Sequence, residues 1–197
     1  MDNPWIYHTF IDPLLYSVRK RIKENIPQNA SVIDIASGTG SLGFSLNSKV
    51  DRFHGMDLSK SMVSFSENKA RKLQLGNIRF YHADASNLAE FPDKKYDFSI
   101  ISLALHQFHP PDQLTVLHEA LRISDKTIIV DYSCPLPVGY KNFLVHIVER
   151  IAGKVHYKNF QHYMKNGGLN EIPDQSNLKI LKKEVTTSGI FSMLIAE

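Results

Sequence analysis

Two hydrophobic patterns alternate along most of the chain. Short apolar runs of strand length are separated by longer stretches in which apolar side chains recur at helical spacing. The predicted strands are Ser31–Ile35, Arg52–Met56, Asn77–Tyr81, Tyr96–Leu103 and Lys126–Asp131. The predicted helices are Pro13–Glu24, Ser41–Ser48, Ser59–Leu73 and Asp112–Leu121. This alternation predicts an α/β fold in which helices cover both faces of a parallel sheet.

The pattern changes after the Lys126–Asp131 strand. An amphipathic stripe then indicates a helix that packs as core or as a lid. Its apolar members are Phe143, Leu144, Ile147, Val148 and Ile151. A second, short helix is predicted at Lys158–Lys165, where Gly167 follows as a helix stop. Two strand-like runs come last, Leu178–Val185 and Ile190–Ala196, and the few turn residues between them predict antiparallel pairing.

Composition is that of an ordinary globular chain. The 197 residues are 43% hydrophobic and 22% charged, with a formal net charge of +3, so we expect one domain over residues 1–197 and no nucleic-acid partner. Cys134 is the single cysteine, which excludes an internal disulfide or a cysteine-built zinc site. No apolar run reaches the ~18–20 residues of a membrane span, and the first residues lack the apolar core of a signal peptide. We therefore expect a cytoplasmic protein with no membrane span.

A glycine-rich turn after the first predicted strand is the strongest chemical signal. Residues 32–43 are VIDIASGTGSLG. Gly38 and Gly40 lack a Cβ, so the turn can adopt positive φ and a ligand can touch the backbone. Free N–H groups at the start of the next helix suit a carboxylate or a phosphate. The same residues complete the G-x-G-x-x-G fingerprint of dinucleotide-binding proteins, so a tight turn without a ligand and a nicotinamide dinucleotide site both remain open.

Three acids at successive strand ends add context to this turn. Asp34 lies inside the first predicted strand, where dinucleotide-binding strands are usually apolar, and could anchor an amino group. Asp57 closes the second strand, where a carboxylate can accept both hydroxyls of a ribose. Asp84 follows the third strand and could accept from an adenine amino group. Each acid alone could simply cap a helix, but together they line the sheet edge at which open α/β proteins bind ligands.

These residues resemble those of the class I S-adenosylmethionine-dependent methyltransferases, in particular the small-molecule branch that includes quinone-biosynthesis methyltransferases. The stretch from Asp34 to Gly40 is similar to the acid-x-Gly-x-Gly-x-Gly signature of that family, with Ala36 in place of the first glycine. Asp57 matches the ribose acid of the family, and the pair at residues 84–85 matches its adenine-edge pair. The resemblance covers nearly the whole chain.

The resemblance implies a Rossmann-like three-layer sandwich with a seven-stranded, mostly parallel sheet and an antiparallel C-terminal strand. It implies S-adenosylmethionine as cofactor, S-adenosylhomocysteine as its product, and a small-molecule methyl acceptor. Residues 1–28 are expected to form a helical lid, and residues 140–168 a helical segment on the acceptor side. The cofactor-binding residues that it assigns are Tyr7, Asp34, Ala36, Ser37, Gly38, Gly40, Asp57, Leu58, Met62, Asp84, Ala85 and Leu103.

Methyl transfer needs little acid–base machinery, because a dry pocket that holds donor and acceptor in line supplies most of the rate. A hydroxyl or thiol acceptor would benefit from a base, and His106, after the fourth predicted strand, is the predicted catalytic residue, with His109 second. No metal site is predicted, since the spacing of His106, His109 and His118 is irregular for one helical face. Asp131, at the end of the fifth strand, could line the acceptor pocket. Aromatic and polar side chains predicted beside that pocket are Phe143, Tyr157, Phe160, His162 and Tyr163.

Three other functions remain open at this stage. An NAD(P)-dependent oxidoreductase would have to explain Asp34, and the chain leaves little room for a substrate domain. A nucleic-acid methyltransferase that methylates amino groups would carry an Asn- or Asp-Pro-Pro-aromatic run, where this chain has Ser102-Leu103-Ala104-Leu105. A non-catalytic partner subunit could keep the methyltransferase fold without turnover.

Overall fold

The computed structural model describes residues 4–6, 15–172 and 178–197. Its strands are β1 (Ala30–Ile35), β2 (Val50–Asp57), β3 (Ile78–His82), β4 (Tyr96–Ser102), β5 (Ser124–Tyr132), β6 (Ile180–Val185) and β7 (Phe191–Ala196). Its helices are α1 (Pro4–Ile6), α2 (Tyr16–Asn25), α3 (Ser41–Leu46), α4 (Lys60–Lys72), α5 (Pro110–Ile123), α6 (Tyr140–Ala152) and α7 (Lys154–Lys165). Short 3-10 turns occupy Leu105–Gln107 and Gly168–Asn170.

The strands form one seven-stranded sheet in the order β3-β2-β1-β4-β5-β7-β6. Strands β1 to β5 pair with one another in parallel. Strand β7 lies between β5 and β6 and pairs antiparallel with both. The predicted mostly parallel sheet with an antiparallel C-terminal strand is confirmed. Because parallel strands end at the same edge, the residues that follow β1, β2, β3, β4 and β5 all gather there.

Helices cover both faces of the sheet. On one face, the core combines apolar side chains of α2, α3 and α4 with residues such as Val32 and Ile100 of the central strands. On the other face, Ile33 and Ile101 pack with side chains of α5 and α7. Alternate residues of β1 and β4 thus enter opposite cores, as the two-residue period of a strand requires. The predicted three-layer sandwich is confirmed.

Two predicted element boundaries shift for backbone reasons. Leu103 falls outside β4, because its φ of 55° is left-handed and cannot continue a strand. Helix α7 begins at Lys154, earlier than predicted, directly after Gly153, whose φ of 128° separates it from α6. The tight bend at Gly153 brings the two helices together as a pair.

The apolar stripe of α6, predicted to pack as core or as a lid, is not part of the core. Phe143 is 66% exposed and Ile151 is 67% exposed. Helix α6 instead buries Val145 and Glu149, which lie one turn apart. The hydroxyl of Tyr132 donates a 2.7 Å hydrogen bond to Glu149 Oε1, so the inward face of the helix makes a polar contact as well as the apolar contact of Val145.

The predicted lid is described only in part. Tyr7 and Phe10 lie outside the described residues, while Trp5 and Tyr16 are exposed. Helix α2 packs on the sheet through Val18 and Ile22, as its apolar spacing predicted. No helix in the described part of the chain has the length and apolarity that crossing a membrane requires.

Gly55 allows β2 to pack against the aromatic ring of its neighbour. It pairs with Asp34 on one side and Phe80 on the other, and a Cβ at Gly55 would lie 2.5 Å from Phe80 Cδ1 and 2.8 Å from Ser37 Oγ. We expect Gly55→Ala to lower the free energy of unfolding by about 1–3 kcal/mol, as overpacking does. Urea titration measures this loss.

Gly76→Ala is the matched control, since a Cβ there meets nothing within 4 Å. It should leave stability unchanged or raise it by about 0.4–1 kcal/mol. Equal stability of the two variants would contradict the packing role of Gly55.

Candidate functional site

The backbone after β1 turns back sharply through left-handed conformations. The φ angles of Ala36, Gly38 and Gly40 are 59°, 54° and 69°. Glycine adopts such angles without steric cost, whereas an L-residue in left-handed conformation costs about 1–2 kcal/mol. Ala36 therefore stores strain at the position where the resembling family has glycine. Gly40 is further required by packing, because a Cβ there would lie 2.4 Å from Phe80 Cζ.

Hydrogen bonds from β2 and α4 hold this turn. The Ser37 N–H donates to the carbonyl of Met56 at 2.8 Å. The Gly38 N–H donates to Asp57 Oδ2 at 2.8 Å, and the Gly38 carbonyl accepts from Ser66 Oγ at 3.1 Å. Residues of β2 and α4 thus both hold the turn, and Gly38 is hydrogen-bonded through its N–H and its carbonyl.

Asp57 connects the turn to the start of α4. Its Oδ2 accepts from Gly38, and its Oδ1 accepts from the Ser59 N–H at 2.8 Å. Burial raises the pKa of Asp57, while these two N–H donors act to lower it. Each oxygen can accept a further bond, because a carboxylate offers about four lone-pair sites. The sequence suggested ribose binding or helix capping, and the structure adds bracing of the glycine turn.

Asp34 lies behind the turn inside the sheet. Its side chain is only 3% exposed. Burial, together with the charge of Asp57, raises the pKa of Asp34 well above its ordinary value. Ionised Asp34 is therefore costly in this buried position, and a cationic group bound near it would offset that cost.

Four further residues that the resemblance assigns to the cofactor follow β2 and β3 at the same edge, namely Leu58, Met62, Asp84 and Ala85. Asp84 is exposed after β3, where its Oδ1 accepts from Ser86 N at 2.9 Å and Ser86 Oγ at 2.7 Å, and these bonds lower its pKa. Ala85 is buried in the core beside it. His82 Nε2 lies 3.0 Å from the carbonyl of Leu58, which ties the end of β3 to the loop after β2. Met62 is buried in the first turn of α4, and Leu58 is exposed.

Two features of the turn fit a bound ligand. Ser37 Oγ is buried and makes no hydrogen bond to any residue in the described ranges. The position of a Cβ on Gly38 is open, with nothing within 4 Å. A buried hydroxyl without a partner is costly, so a polar ligand atom that reached it would satisfy it.

A second group of polar side chains surrounds His106, in the 3-10 turn after β4. His106 is 2% exposed. Its backbone N–H donates to Asp131 Oδ2 at 3.0 Å, and its Nδ1 lies 2.6 Å from Asp131 Oδ1. Its Nε2 lies 3.5 Å from Glu149 Oε2, which also lies 2.5 Å from Nε2 of His156 on α7. Four elements therefore contribute to one buried cluster.

The carboxylates of this cluster control its protonation. Burial lowers the pKa of His106, but Asp131 and Glu149 outweigh burial and raise it to about 10. Burial raises the pKa of Glu149, but the imidazoles of His106 and His156 and the hydroxyl of Tyr132 outweigh it, so this pKa falls well below its ordinary value. His106 thus holds a proton at neutral pH, and it can act as a base only after releasing that proton. Its role as the catalytic base stays a prediction.

The other histidines considered from sequence do not join this cluster. His109 is exposed and precedes α5, where its carbonyl accepts from the N–H groups of Asp112 and Gln113 at 2.9 and 3.2 Å. His118 is exposed on α5. The sequence offered no signal for Glu149 and His156, which lie far from His106 along the chain and meet it only through the packing of α6 and α7.

The predicted aromatic residues divide between the cluster and the solvent. Phe160 and Tyr163 pack on His106 with ring centroids 6.0 and 6.2 Å away, whereas Phe143 and His162 are exposed. A cavity of about 280 Å³ adjoins Tyr163, near the lower end of ligand-pocket sizes. Its lining residues are Pro110, Gln113, Leu114, His162, Tyr163, Asn166, Gly168 and Ile172.

The chain is similar in sequence to known methyltransferases. A family model described as a methyltransferase domain matches residues 32–126. A demethylmenaquinone methyltransferase of Geobacillus sp. (strain WCH70) is 28% identical over 148 residues, 71% of this chain and 62% of that protein. The demethylmenaquinone methyltransferase of Bacillus licheniformis is 29% identical over 176 residues, 84% of this chain and 74% of that protein. The match to the Geobacillus protein therefore spans less than two thirds of that relative's length.

Solved structures share the fold at low sequence identity. A SAM-dependent methyltransferase from Aquifex aeolicus superposes with a TM-score of 0.70 at 16% identity, covering 98% of this chain and 97% of that one. The magnesium protoporphyrin IX methyltransferase of Synechocystis PCC 6803, crystallised with bound SAH, gives a TM-score of 0.64 at 22% identity, with 93% and 81% covered. At these identities the likeness establishes the fold.

The raised pKa of Asp34 predicts a dependence of stability on pH. A carboxyl group whose pKa is higher in the folded than in the unfolded state destabilises the fold once it ionises. This destabilisation is absent below the ordinary carboxyl pKa and grows as the pH rises through the raised, folded pKa. We expect Asp34→Asn to raise the melting temperature of the ligand-free protein at pH 8, and the gain to shrink towards pH 5.

Asp97→Asn is the opposite control, because hydrogen bonds from the side chain and backbone of Ser31 lower the pKa of Asp97. Its substitution should cost stability at pH 8, and the cost should shrink as the pH falls. A gain from Asp34→Asn that did not vary with pH would contradict the buried charge.

Proposed function

We propose that this chain is a class I S-adenosylmethionine-dependent methyltransferase, and that it transfers a methyl group from S-adenosylmethionine to a small organic acceptor. The observation that carries the proposal is the glycine turn braced by Asp57, with Ser37 Oγ buried without a described partner and open space over Gly38. These groups lie at the ligand-binding edge of a sheet that matches the methyltransferase domain.

The turn residues are proposed to hold the cofactor. Asp57 accepts from the ribose hydroxyls with the lone pairs that Gly38 and Ser59 leave open, and charge-assisted bonds of this kind are stronger than neutral ones. Asp34 favours the cationic amino end of the ligand from behind the turn. Asp84 accepts from the adenine amino group, beside the small side chain of Ala85. Further contacts are proposed for Tyr7, Ala36, Ser37, Gly40, Leu58, Met62 and Leu103.

Positioning and exclusion of water are the main contributions of the protein to the reaction. When bound, S-adenosylmethionine supplies a methyl group on a positively charged sulfur. The strained Leu103 and the buried cluster at His106 border the sheet edge beside the turn, where they are proposed to fix the acceptor. Base catalysis by His106 remains part of the proposal for a hydroxyl or thiol acceptor.

We propose a quinone-type aromatic acceptor. The relatives from Geobacillus and Bacillus are named for demethylmenaquinone, and the aromatic rings of Tyr132 and Phe160 surround His106 on the acceptor side. A cytoplasmic location, one domain over residues 1–197, a lid at 1–28 and an acceptor-side segment at 140–168 are proposed with it. No nucleic-acid partner is proposed.

The rival functions have less support. A nicotinamide-dependent oxidoreductase would share the glycine turn and Asp57, but the antiparallel β7 between β5 and β6 belongs to the fold of the methyltransferase structures above. A non-catalytic partner subunit would bind the cofactor without turnover, so an activity measurement separates it from an enzyme.

We expect S-adenosylmethionine and S-adenosylhomocysteine, and not NAD or NADP, to raise the melting temperature, because a ligand of the folded state stabilises it. Incubation with a demethylated quinol and methyl-labelled S-adenosylmethionine should then yield a labelled product. A shift with NAD alone would support the oxidoreductase, and cofactor binding without labelling of any acceptor tested would support the partner subunit.

Asp57→Ala should weaken S-adenosylhomocysteine binding by at least about tenfold, since each hydrogen bond to a charged group contributes roughly 1.5–3 kcal/mol and ~1.4 kcal/mol is a factor of ten. It should also lower stability, because Gly38 and Ser59 lose their acceptor. Calorimetric titration and a melting curve measure the two effects.

Ser59→Ala serves as the matched control, since Ser59 Oγ caps α4 by accepting from Met62 N at 3.4 Å. It should lower stability by up to about 1 kcal/mol without changing affinity. Unchanged affinity in Asp57→Ala would remove the ribose role.

A further inference from the structure

We propose that His106, Glu149 and His156 bind a divalent transition-metal ion. Each residue directs one ligand atom into the cluster, His106 Nε2, Glu149 Oε2 and His156 Nε2, and these atoms lie within 4.8 Å of one another. Two imidazoles and one carboxylate form a donor set that Zn²⁺ and Fe²⁺ use in proteins.

Two of these atoms are buried without a hydrogen bond. Neither His106 Nε2 nor Glu149 Oε2 has a hydrogen-bond partner among the described residues. The side chains of both residues are more than nine-tenths buried. Their contacts are ion pairs without hydrogen-bond geometry, at 3.5 Å from each other and, for Glu149 Oε2, at 2.5 Å from His156 Nε2. An ion bound among the three atoms would bond to each of them directly.

The separations fit a single ion. Metal–nitrogen and metal–oxygen bonds of about 2.0–2.2 Å place neighbouring ligand atoms of a tetrahedral ion roughly 3.4 Å apart. His106 Nε2 and Glu149 Oε2 are already 3.5 Å apart. His156 Nε2, at 2.5 Å from Glu149 Oε2, would move outwards, which its partial exposure at the bend between α6 and α7 permits. That exposed side also gives an ion its way in.

The groups around the ligands orient them as in metal sites. Asp131 Oδ1 lies 2.6 Å from Nδ1 of His106, which leaves Nε2 to face the cluster. The Tyr132 hydroxyl donates to Oε1 of Glu149 and leaves Oε2 to face it. Such outer partners of imidazole and carboxylate ligands fix their orientation in known metal sites.

Charge favours a cation as well. A divalent ion would displace the proton that His106 holds at neutral pH, and its two positive charges would then balance the carboxylates of Asp131 and Glu149. Three protein ligands also leave one coordination position for a small oxygen ligand, as in catalytic zinc sites.

Titration of metal-free protein with Zn²⁺ tests the site without any methyl-transfer assay, so its result is independent of the proposed function. After dialysis against a chelator, we expect one equivalent of Zn²⁺ to bind and to raise the melting temperature, while Mg²⁺ does neither. His156→Ala and Glu149→Gln should each weaken Zn²⁺ binding at least tenfold. His118→Ala, which removes an exposed histidine outside the cluster, should leave it unchanged.

Co²⁺ provides a second readout, since its visible absorption reports coordination by protein ligands. The bands should change in His156→Ala, whose partly exposed side chain can be removed with the fold intact, as circular dichroism and S-adenosylhomocysteine binding verify. Absence of Zn²⁺ binding to the unmodified protein, or binding that both variants leave unchanged, would overturn the proposal.

Discussion

The contact between the Asp57 carboxylate and the Gly38 N–H joins the end of β2 to the turn after β1. The other oxygen of the same carboxylate holds Ser59 at the start of α4. One side chain therefore sets the distance between two strand ends and the first helical turn that follows. Burial raises the pKa of Asp34 one strand away, and the charge of the Asp57 carboxylate raises it further. The geometry of the turn and the charge state of the sheet behind it are thus coupled.

Local patterns predicted the fold and the glycine turn with its neighbouring acids. Strand and helix spacing, the glycine turn and the acids at strand ends depend on residues close together in sequence, and the rule that parallel strands end at one edge places Asp34, Asp57 and Asp84 together. The face of α6 that packs could not be predicted. Its apolar stripe has a clear period, but the opposite face, which carries Val145 and the hydrogen-bonded Glu149, packs inward.

Of the buried cluster at His106, the sequence singled out only His106 itself and Asp131. Glu149 and His156 meet His106 through the packing of two helices that follow β5, and no local motif marks them. Leu103 illustrates the same limit at the level of the backbone. An apolar residue at the end of an apolar strand predicts more strand, whereas its φ of 55° turns the chain towards the buried cluster. The contacts of Glu149 and His156 with His106, and the backbone turn at Leu103, both depend on packing between residues far apart in sequence.

Strand β7 lies between β5 and β6, although it is last in chain order. Until Phe191–Ala196 has been synthesised, the edge of β5 has no partner on that side, and its backbone N–H and carbonyl groups are open to pairing with other chains. Folding of the sheet during translation therefore finishes only after this strand leaves the ribosome. While residues 133–190 are being made, the nascent chain therefore carries an unpaired strand edge, which favours aggregation of incompletely folded species.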